Sequence, residues 1–367
     1  MIKRLFTLIC LICFVTSLSA HAVTPKEEIP THYSSIDGTA AEELFSQLTK
    51  VTNAGYVALS YSGLWDAYMK TDVDDNNHII DMYSNCTFSP GKKSEGGDQC
   101  GNYRNECDCY NREHSVPKSW FGSLEKEIGA DVFHVVPTDG KVNSYRSNYA
   151  FGVVASGDQV GTCKVGSSVS TIHNDKKTIS AEANTNTSAP SGKTVFEPSN
   201  QYKGDFARGY FGTIMKWNTK YKMTSDGGST MFNSSYTKSA NYGLTPYAVA
   251  LLMKWHRDDP VSEKEIKRNN GIEEKQGNRN PFIDYPYLAE YIWGERSGQA
   301  VQLGHMISSS DSRFVPGRSD GWDGSTDVEE VSAPTPTATK YILNGQVIIE
   351  RNGVRYNMMG QRLENVK

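Results

Sequence analysis

The N-terminal segment decides where this chain folds and, through that, what can hold it together. Lys3 and Arg4 precede an almost continuous apolar run from Leu5 to Leu18, and Ala20-His21-Ala22 supplies a small-x-small cleavage site. That is the layout of a secretory leader. The run falls short of the ~20 residues that span a membrane comfortably, so residues 1–22 are expected to leave as a signal peptide. Lipid attachment at Cys13 fits poorly, because bulky Ile12 stands where a small residue is wanted. Export delivers the chain to an oxidising compartment, where disulfides form and persist.

Of seven cysteines, Cys10 and Cys13 depart with the leader, leaving Cys86, Cys100, Cys107, Cys109 and Cys163. In an exported protein these read first as disulfides. A zinc reading would use Cys100, Cys107 and Cys109, whose spacing fits none of the usual zinc patterns. Five is an odd number, so one thiol is left over. The full chain of 367 residues carries a formal charge of −4, and losing Lys3 and Arg4 takes it to −6. A globally basic nucleic-acid binder is thereby excluded, and any phosphate-binding surface must be a local patch.

Length and hydropathy allow two domains of a soluble protein. Apolar residues at helical spacing predict helices over 40–51, 61–70, 205–222 and 247–257, the first with capping candidates in Asp37-Gly38-Thr39. Asp259-Pro260 ends the last of these. Ser262 and Glu265 then form a capping box for a helix running to about Gly271, Gln276 to Pro281 reads as a turn, and Tyr287 to Gly294 closes the domain. Asp72-Val73-Asp74-Asp75-Asn76 resembles a calcium loop but lacks its glycine and its closing glutamate. A solvated turn before a strand over Ile79 to Tyr83 is expected instead. Residues 298–340 have linker composition, ending in Pro- and Thr-rich sequence. Asn344-Gly345 and Asn352-Gly353 mark hairpin turns in a small β-rich tail over 341–367.

Chemistry concentrates in Asn111-Arg112-Glu113-His114-Ser115-Val116-Pro117 and in Asp131 to Tyr149. Hydrolysis of a phosphodiester needs a base for water, a hard cation on the phosphate and positive charge on the remaining oxygens. His114 suits the base, being about three-quarters neutral at pH 7 with an ordinary pKa of ~6.5. Glu113 suits a Mg²⁺-like ion. In extended chain their side chains point to opposite faces, so a bend or bulge is expected to re-aim one of them. Asp131 to Val136 reads as a strand broken by Pro137, with Thr138 or Asp139 capping a helix from about Gly140. On that helix Val142, Tyr145 and Tyr149 look buried, while Asn143, Arg146 and Ser147 share another face. Asn143 is then a metal-ligand candidate, Arg146 a phosphate clamp and Asn148 a weaker ligand. His134 reads as a hydrogen-bonded core histidine, and His78 and His256 as surface residues.

The stretch Cys109-Tyr110-Asn111-Arg112-Glu113-His114-Ser115-Val116-Pro117-Lys118-Ser119-Trp120-Phe121 resembles the signature of the secreted bacterial endonuclease I family, whose nucleases carry a ββα-metal, or His-Me, finger. Further blocks resemble it in the same order: Asp81-Met82-Tyr83-Ser84, Asp131 to Gly152, Phe196-Glu197-Pro198 with Lys203-Gly204-Asp205, and Gln276 to Phe282. The resemblance covers about residues 33–297. It implies an α+β fold with a ββα-metal core in a mainly helical domain over 23–297. It also implies His114 as general base, Glu113 and Asn143 on one Mg²⁺ that Mn²⁺ or Ca²⁺ could replace, and non-specific cutting of DNA, and often of RNA, to 5′-phosphate ends. Some relatives carry a phosphate-binding arginine between the histidine and the asparagine. Residues 115–130 hold Lys118 and Lys126 but no arginine. The tail more loosely resembles a type IX secretion sorting domain.

The expectation is therefore a secreted, monomeric, metal-dependent endonuclease acting on nucleic acid, with secretion machinery as the partner of the tail. A surface nucleic-acid-binding module that has lost catalysis is the alternative. The presence of Glu113, His114 and Asn143 weighs against it, and a zinc peptidase lacks its H-E-x-x-H helix.

Overall fold

A computed structural model describes residues 23–122, 127–153, 158–159, 171–175 and 193–319, together with four short strands between 339 and 363. The leader, Lys126, Cys163 and residues 320–338 of the linker lie outside the described residues. The chain divides into a compact unit reaching Trp322 and a C-terminal unit from Asp323. Among the described residues, no helix is long and apolar enough to cross a membrane.

Ten α-helices are described: α1 Ile29–His32, α2 Ala41–Asn53, α3 Leu64–Thr71, α4 Lys118–Phe121, α5 Gly140–Arg146, α6 Lys203–Trp217, α7 Pro246–Asp258, α8 Glu263–Gln276, α9 Pro281–Asp284 and α10 Leu288–Ile292. Helix α6 is the axis of the first unit, buried from Phe206 to Trp217 and packed along α7, with α2 and α9 also against it. A helix buried on all sides normally carries only apolar residues. Here Arg208 and Lys216 are exceptions with partners. Arg208 forks onto Glu265 at 2.6 and 2.8 Å, and Lys216 lies 3.0 Å from Asp131.

Two small sheets flank this helical body. Strand β1 (Tyr110–His114) pairs antiparallel with β2 (Val135–Asp139), Glu113 opposite Val136 and His114 opposite Val135. The second sheet runs β3 (Ala150–Phe151), β6 (Lys193–Glu197), β5 (Thr171–Asp175), β4 (Asp158–Gln159) in spatial order, with β3 and β6 parallel. The C-terminal unit is a four-stranded antiparallel meander of β7 (Thr339–Leu343), β8 (Gln346–Arg351), β9 (Val354–Tyr356) and β10 (Arg362–Leu363). Its Asn-Gly dipeptides fall between consecutive strands, as the hairpin signal requires.

Several expectations give way. Residues 79–83 form no strand: Ile79 makes isolated bridges, and the Asp81 carboxylate takes the N–H groups of Tyr83 and Ser84 into a turn. Ala40 caps α2 without a side-chain bond, because Asp37 accepts from Leu303 N instead. The capping box of Ser262 and Glu265 forms, but α8 runs on to Gln276. Gly271 is retained inside it because a Cβ there would come 2.8 Å from the Lys70 carbonyl. His256 is fully buried against Arg208 and the Pro286 carbonyl. Beyond residue 297 the chain keeps packing, with Val301, Leu303 and Met306 in the main core. Linker composition therefore overstates how early the first unit ends.

Candidate active site

Strand β1, strand β2 and helix α5 are consecutive in space, and the join between the last two is made by Asp139. Its Oδ1 accepts the Val142 N–H at 2.8 Å as the helix N-cap, satisfying one of the orphan donors at a helix start. Its backbone N–H in turn donates to Asp81 at 2.9 Å. Pro137 does not break the strand. It sits within β2 opposite Arg112, a position tolerated in a two-stranded sheet where one side of the strand has no ladder partner. Residues Asp131 to His134 form a turn instead of strand, with Asp131 Oδ1 accepting from Phe133 N.

Helix α5 is packed differently from its apolar spacing. Tyr145 is 44% exposed, whereas Arg146 is 1% exposed. The Arg146 guanidinium sits against the end of β1: Nη1 donates to the His114 carbonyl at 2.8 Å and Nη2 to the Ser115 carbonyl at 2.6 Å. The same Nη1 lies 2.8 Å from Glu113 Oε1, which also accepts from the Tyr83 hydroxyl at 2.8 Å. A solvent-facing phosphate clamp is therefore not where this side chain lies; it holds the carboxylate. Burial pushes the Glu113 pKa up, opposed by Arg146 and the Tyr83 hydroxyl.

His114 is nearly as enclosed. Its Nε2 lies 3.0 Å from the Gly129 carbonyl, and a carbonyl can only accept, so Nε2 carries the hydrogen and Nδ1 keeps its lone pair. Burial, reinforced by the neighbouring His134, pushes the pKa of His114 down to about 3. The ring is thus neutral at physiological pH, more completely than an ordinary histidine. His134, also buried, bonds through Nε2 to the Ile128 carbonyl at 2.7 Å.

Glu113, His114, Asn143 and Asn148 line a single cavity of about 430 Å³, with Arg112 and Lys118 on its wall. No bulge is needed for the first two: β1 pairs residue for residue through His114, and the cavity lies at the strand's end. Asn143 Nδ2 donates to the Arg112 carbonyl at 3.2 Å, which turns its oxygen away from the strand. Glu113 and Asn143 thus both line the cavity, and carboxylate and amide oxygens are the kind of donors a hard divalent cation takes. Asn148 is brought to the rim, where Nδ2 donates to Asp226 at 2.9 Å; that bond ties it down and makes it the poorer ligand.

Arg112 escaped the sequence reading. Its guanidinium lies 3.6 Å from the Tyr61 ring centroid and 4.2 Å from that of Trp65, with Nη1 donating to the Tyr61 carbonyl. The strand period of two places residues 112 and 114 on one face, a signal that was available in the sequence.

Another acidic group proves structural. Asp81, Cys86 and Asp139 lie close enough together to suggest an ion. Cys86, however, is bonded to Cys107, and Cys100 to Cys109. The two carboxylates already take the backbone N–H groups of Tyr83, Ser84, Asp139, Val142 and Cys107. The same disulfides remove the zinc reading of Cys100, Cys107 and Cys109.

With this geometry in place, the endonuclease I family model matches residues 39–287. The chain belongs to the endonuclease I family. Members of the family are nucleases and generally depend on a metal ion. The chain is similar to the extracellular ribonuclease of Bacillus amyloliquefaciens, 30% identical over 282 residues covering 75% of this chain and 82% of the relative. It is also similar to the extracellular ribonuclease of Bacillus subtilis (strain 168), 31% identical over 284 residues covering 76% and 83%. The endonuclease I match spans both β1 and α5, so the residues gathered at the cavity belong to the nuclease body of this chain.

Proposed function

We propose that this endonuclease I family member is a secreted, metal-dependent endonuclease that hydrolyses RNA and DNA to 5′-phosphate ends, with its chemistry at the β1–α5 cavity. The observation that carries the reading is the commitment of His114 Nε2–H to the Gly129 carbonyl. That bond leaves Nδ1 unprotonated beside two oxygen ligands of a hard cation, an arrangement suited to taking a proton from water.

In this reading Glu113 and Asn143 hold Mg²⁺, which when bound supplies positive charge to the scissile phosphate and the leaving oxygen. His114 Nδ1 accepts the proton of the attacking water. Arg112 and Lys118 supply the remaining positive charge on the cavity wall, the part first sought in Arg146. Arg146 acts one step back, fixing Glu113 and the last carbonyls of β1. Because water is the nucleophile, the sugar's 2′-hydroxyl is not consumed, and both nucleic acids qualify. The names of the two Bacillus relatives make RNA the first substrate to try. Export is supported by the leader and by the disulfides, and the C-terminal meander is the candidate sorting unit.

The test incubates purified protein with end-labelled RNA and with plasmid, with and without EDTA, followed by end-group analysis. Cleavage that stops with EDTA, returns with Mg²⁺ and leaves 5′-phosphates is expected, and His114→Ala should abolish it. Chelator-resistant cleavage giving 2′,3′-cyclic phosphates would overturn the mechanism. Binding without cutting would favour the inactive-module alternative.

A further inference from the structure

A second cavity, of about 640 Å³, adjoins the first and is lined by residues Gly101 to Arg104 and by Asp108. Tyr103 lines both cavities. The loop that carries it is exposed and polar at Asn102, Arg104, Asn105 and Asp108, and Tyr103 belongs to none of the hydrophobic clusters among the described residues. Its ring is nevertheless held firmly. The loop is closed by Cys100–Cys109 and tied down by Cys86–Cys107. Inside it, the Asp108 carboxylate accepts the N–H groups of Arg104 at 2.7 Å and Asn105 at 2.8 Å. Asp139, the N-cap of α5, reaches back with its other oxygen to accept the Cys107 N–H at 2.7 Å. The ring itself rests on Gly140, the first residue of α5, where an added Cβ would come 2.5 Å from it.

A partly buried aromatic ring on a loop tied down this heavily, yet contributing to none of the hydrophobic clusters among the described residues, has a different use from packing. It offers a flat apolar face at a set place relative to Asn143 on the same helix. Nucleobases stack on such faces when they are not already stacked in a duplex. Arg104 follows directly with an exposed cation. Of the loop's two carboxylates, Asp108 is turned onto backbone N–H groups, and Glu106 lies near enough to Asp139 to help raise its pKa.

We propose that the loop from Cys100 to Cys109 is a nucleotide subsite beside the cleavage cavity. Tyr103 stacks the base next to the scissile phosphate, Arg104 meets the neighbouring phosphate, and the substrate is taken as a single strand. This rests on the nuclease reading for the identity of the ligand, so the test separates binding from cutting.

Fluorescence anisotropy in EDTA measures binding of a short labelled single strand and its duplex to the wild type, Tyr103→Leu, Tyr103→Phe and Arg104→Ala. Tyr103→Leu keeps an apolar side chain against Gly140 but removes the aromatic face. Expected are tighter binding of the single strand than of the duplex, a loss on the order of ten-fold in Tyr103→Leu, and near-complete retention in Tyr103→Phe. Arg104→Ala should weaken binding and flatten its salt dependence. Equal binding by Tyr103→Leu and wild type, or preference for duplex, would overturn the subsite. Cleavage is then scored on the same strand with Mg²⁺: a wild type that binds as expected but does not cut refutes the nuclease reading and leaves the subsite standing.

Discussion

Arg146 and Glu113 form a buried ion pair, Nη1 to Oε1 at 2.8 Å, in which both side chains are almost wholly withdrawn from solvent. Two charges in such a place are stable only together, because desolvation of either alone is costly. Arg146→Met leaves the Glu113 carboxylate without its cation and removes the guanidinium donors of the His114 and Ser115 carbonyls, Ser115 keeping only the Tyr210 hydroxyl. We expect a loss of about 3–5 kcal/mol in stability, read from the urea midpoint, together with loss of activity. Arg146→Lys restores the charge but not the fork and should fall between. An unchanged midpoint in Arg146→Met would refute the pairing.

His134 is predicted to be a positioning residue for His114. The two rings, 6.0 Å apart, are tied to the consecutive carbonyls of Ile128 and Gly129. Releasing the Ile128 carbonyl in His134→Leu should let the Gly129 carbonyl drift and free the tautomer of His114. The expected result is a fall in kcat on the order of ten-fold, a fraction of what a general base contributes, with little change in KM. Nitrogen-15 NMR of the His114 ring should show the Nε2–H form losing its dominance. A purely structural role would lower the melting temperature and leave that spectrum alone.

Reduction of the two disulfides gives a third expectation. Their sequence separations are 21 and 9 residues, and loops of that size are each worth a few kcal/mol, about 2–4, though overlapping loops do not add fully. Denaturant unfolding with and without dithiothreitol should show a lower midpoint for the reduced protein. Its KM for a single strand should rise more than its kcat falls. Identical kinetics in the two states would show that the loop holds its shape without cystine.

The residues that sequence placed well are those whose environment is local or whose spacing meets one packing surface. Helices α6 and α7 announce themselves through apolar periodicity, α8 through the capping box of Ser262 and Glu265, and α5 through the capping position of Asp139. Helix α5 misleads because it is packed on two sides, by the core at Val142 and by β1 at Arg146, so a single apolar stripe does not describe it. Tyr145 faces solvent for the same reason: the face it occupies is left over once the other two are covered. Asp131 could not be seen as a hub, since Lys216, Trp217 and Gln276 reach it from far along the chain. Glu113 and His114 were legible as a site chiefly through resemblance, because a lone acid–histidine pair carries little information by itself.

The carboxylate of Asp139 serves the Val142 N–H with one oxygen and the Cys107 N–H with the other. Helix start and cystine loop are therefore not independent modules, and a perturbation of either is felt by the other. Thermodynamic linkage is reciprocal. If closing the cystines favours the strand-binding form of the loop, a bound strand must make those cystines harder to reduce by the same factor, and the midpoint of a redox titration would report occupancy of the groove.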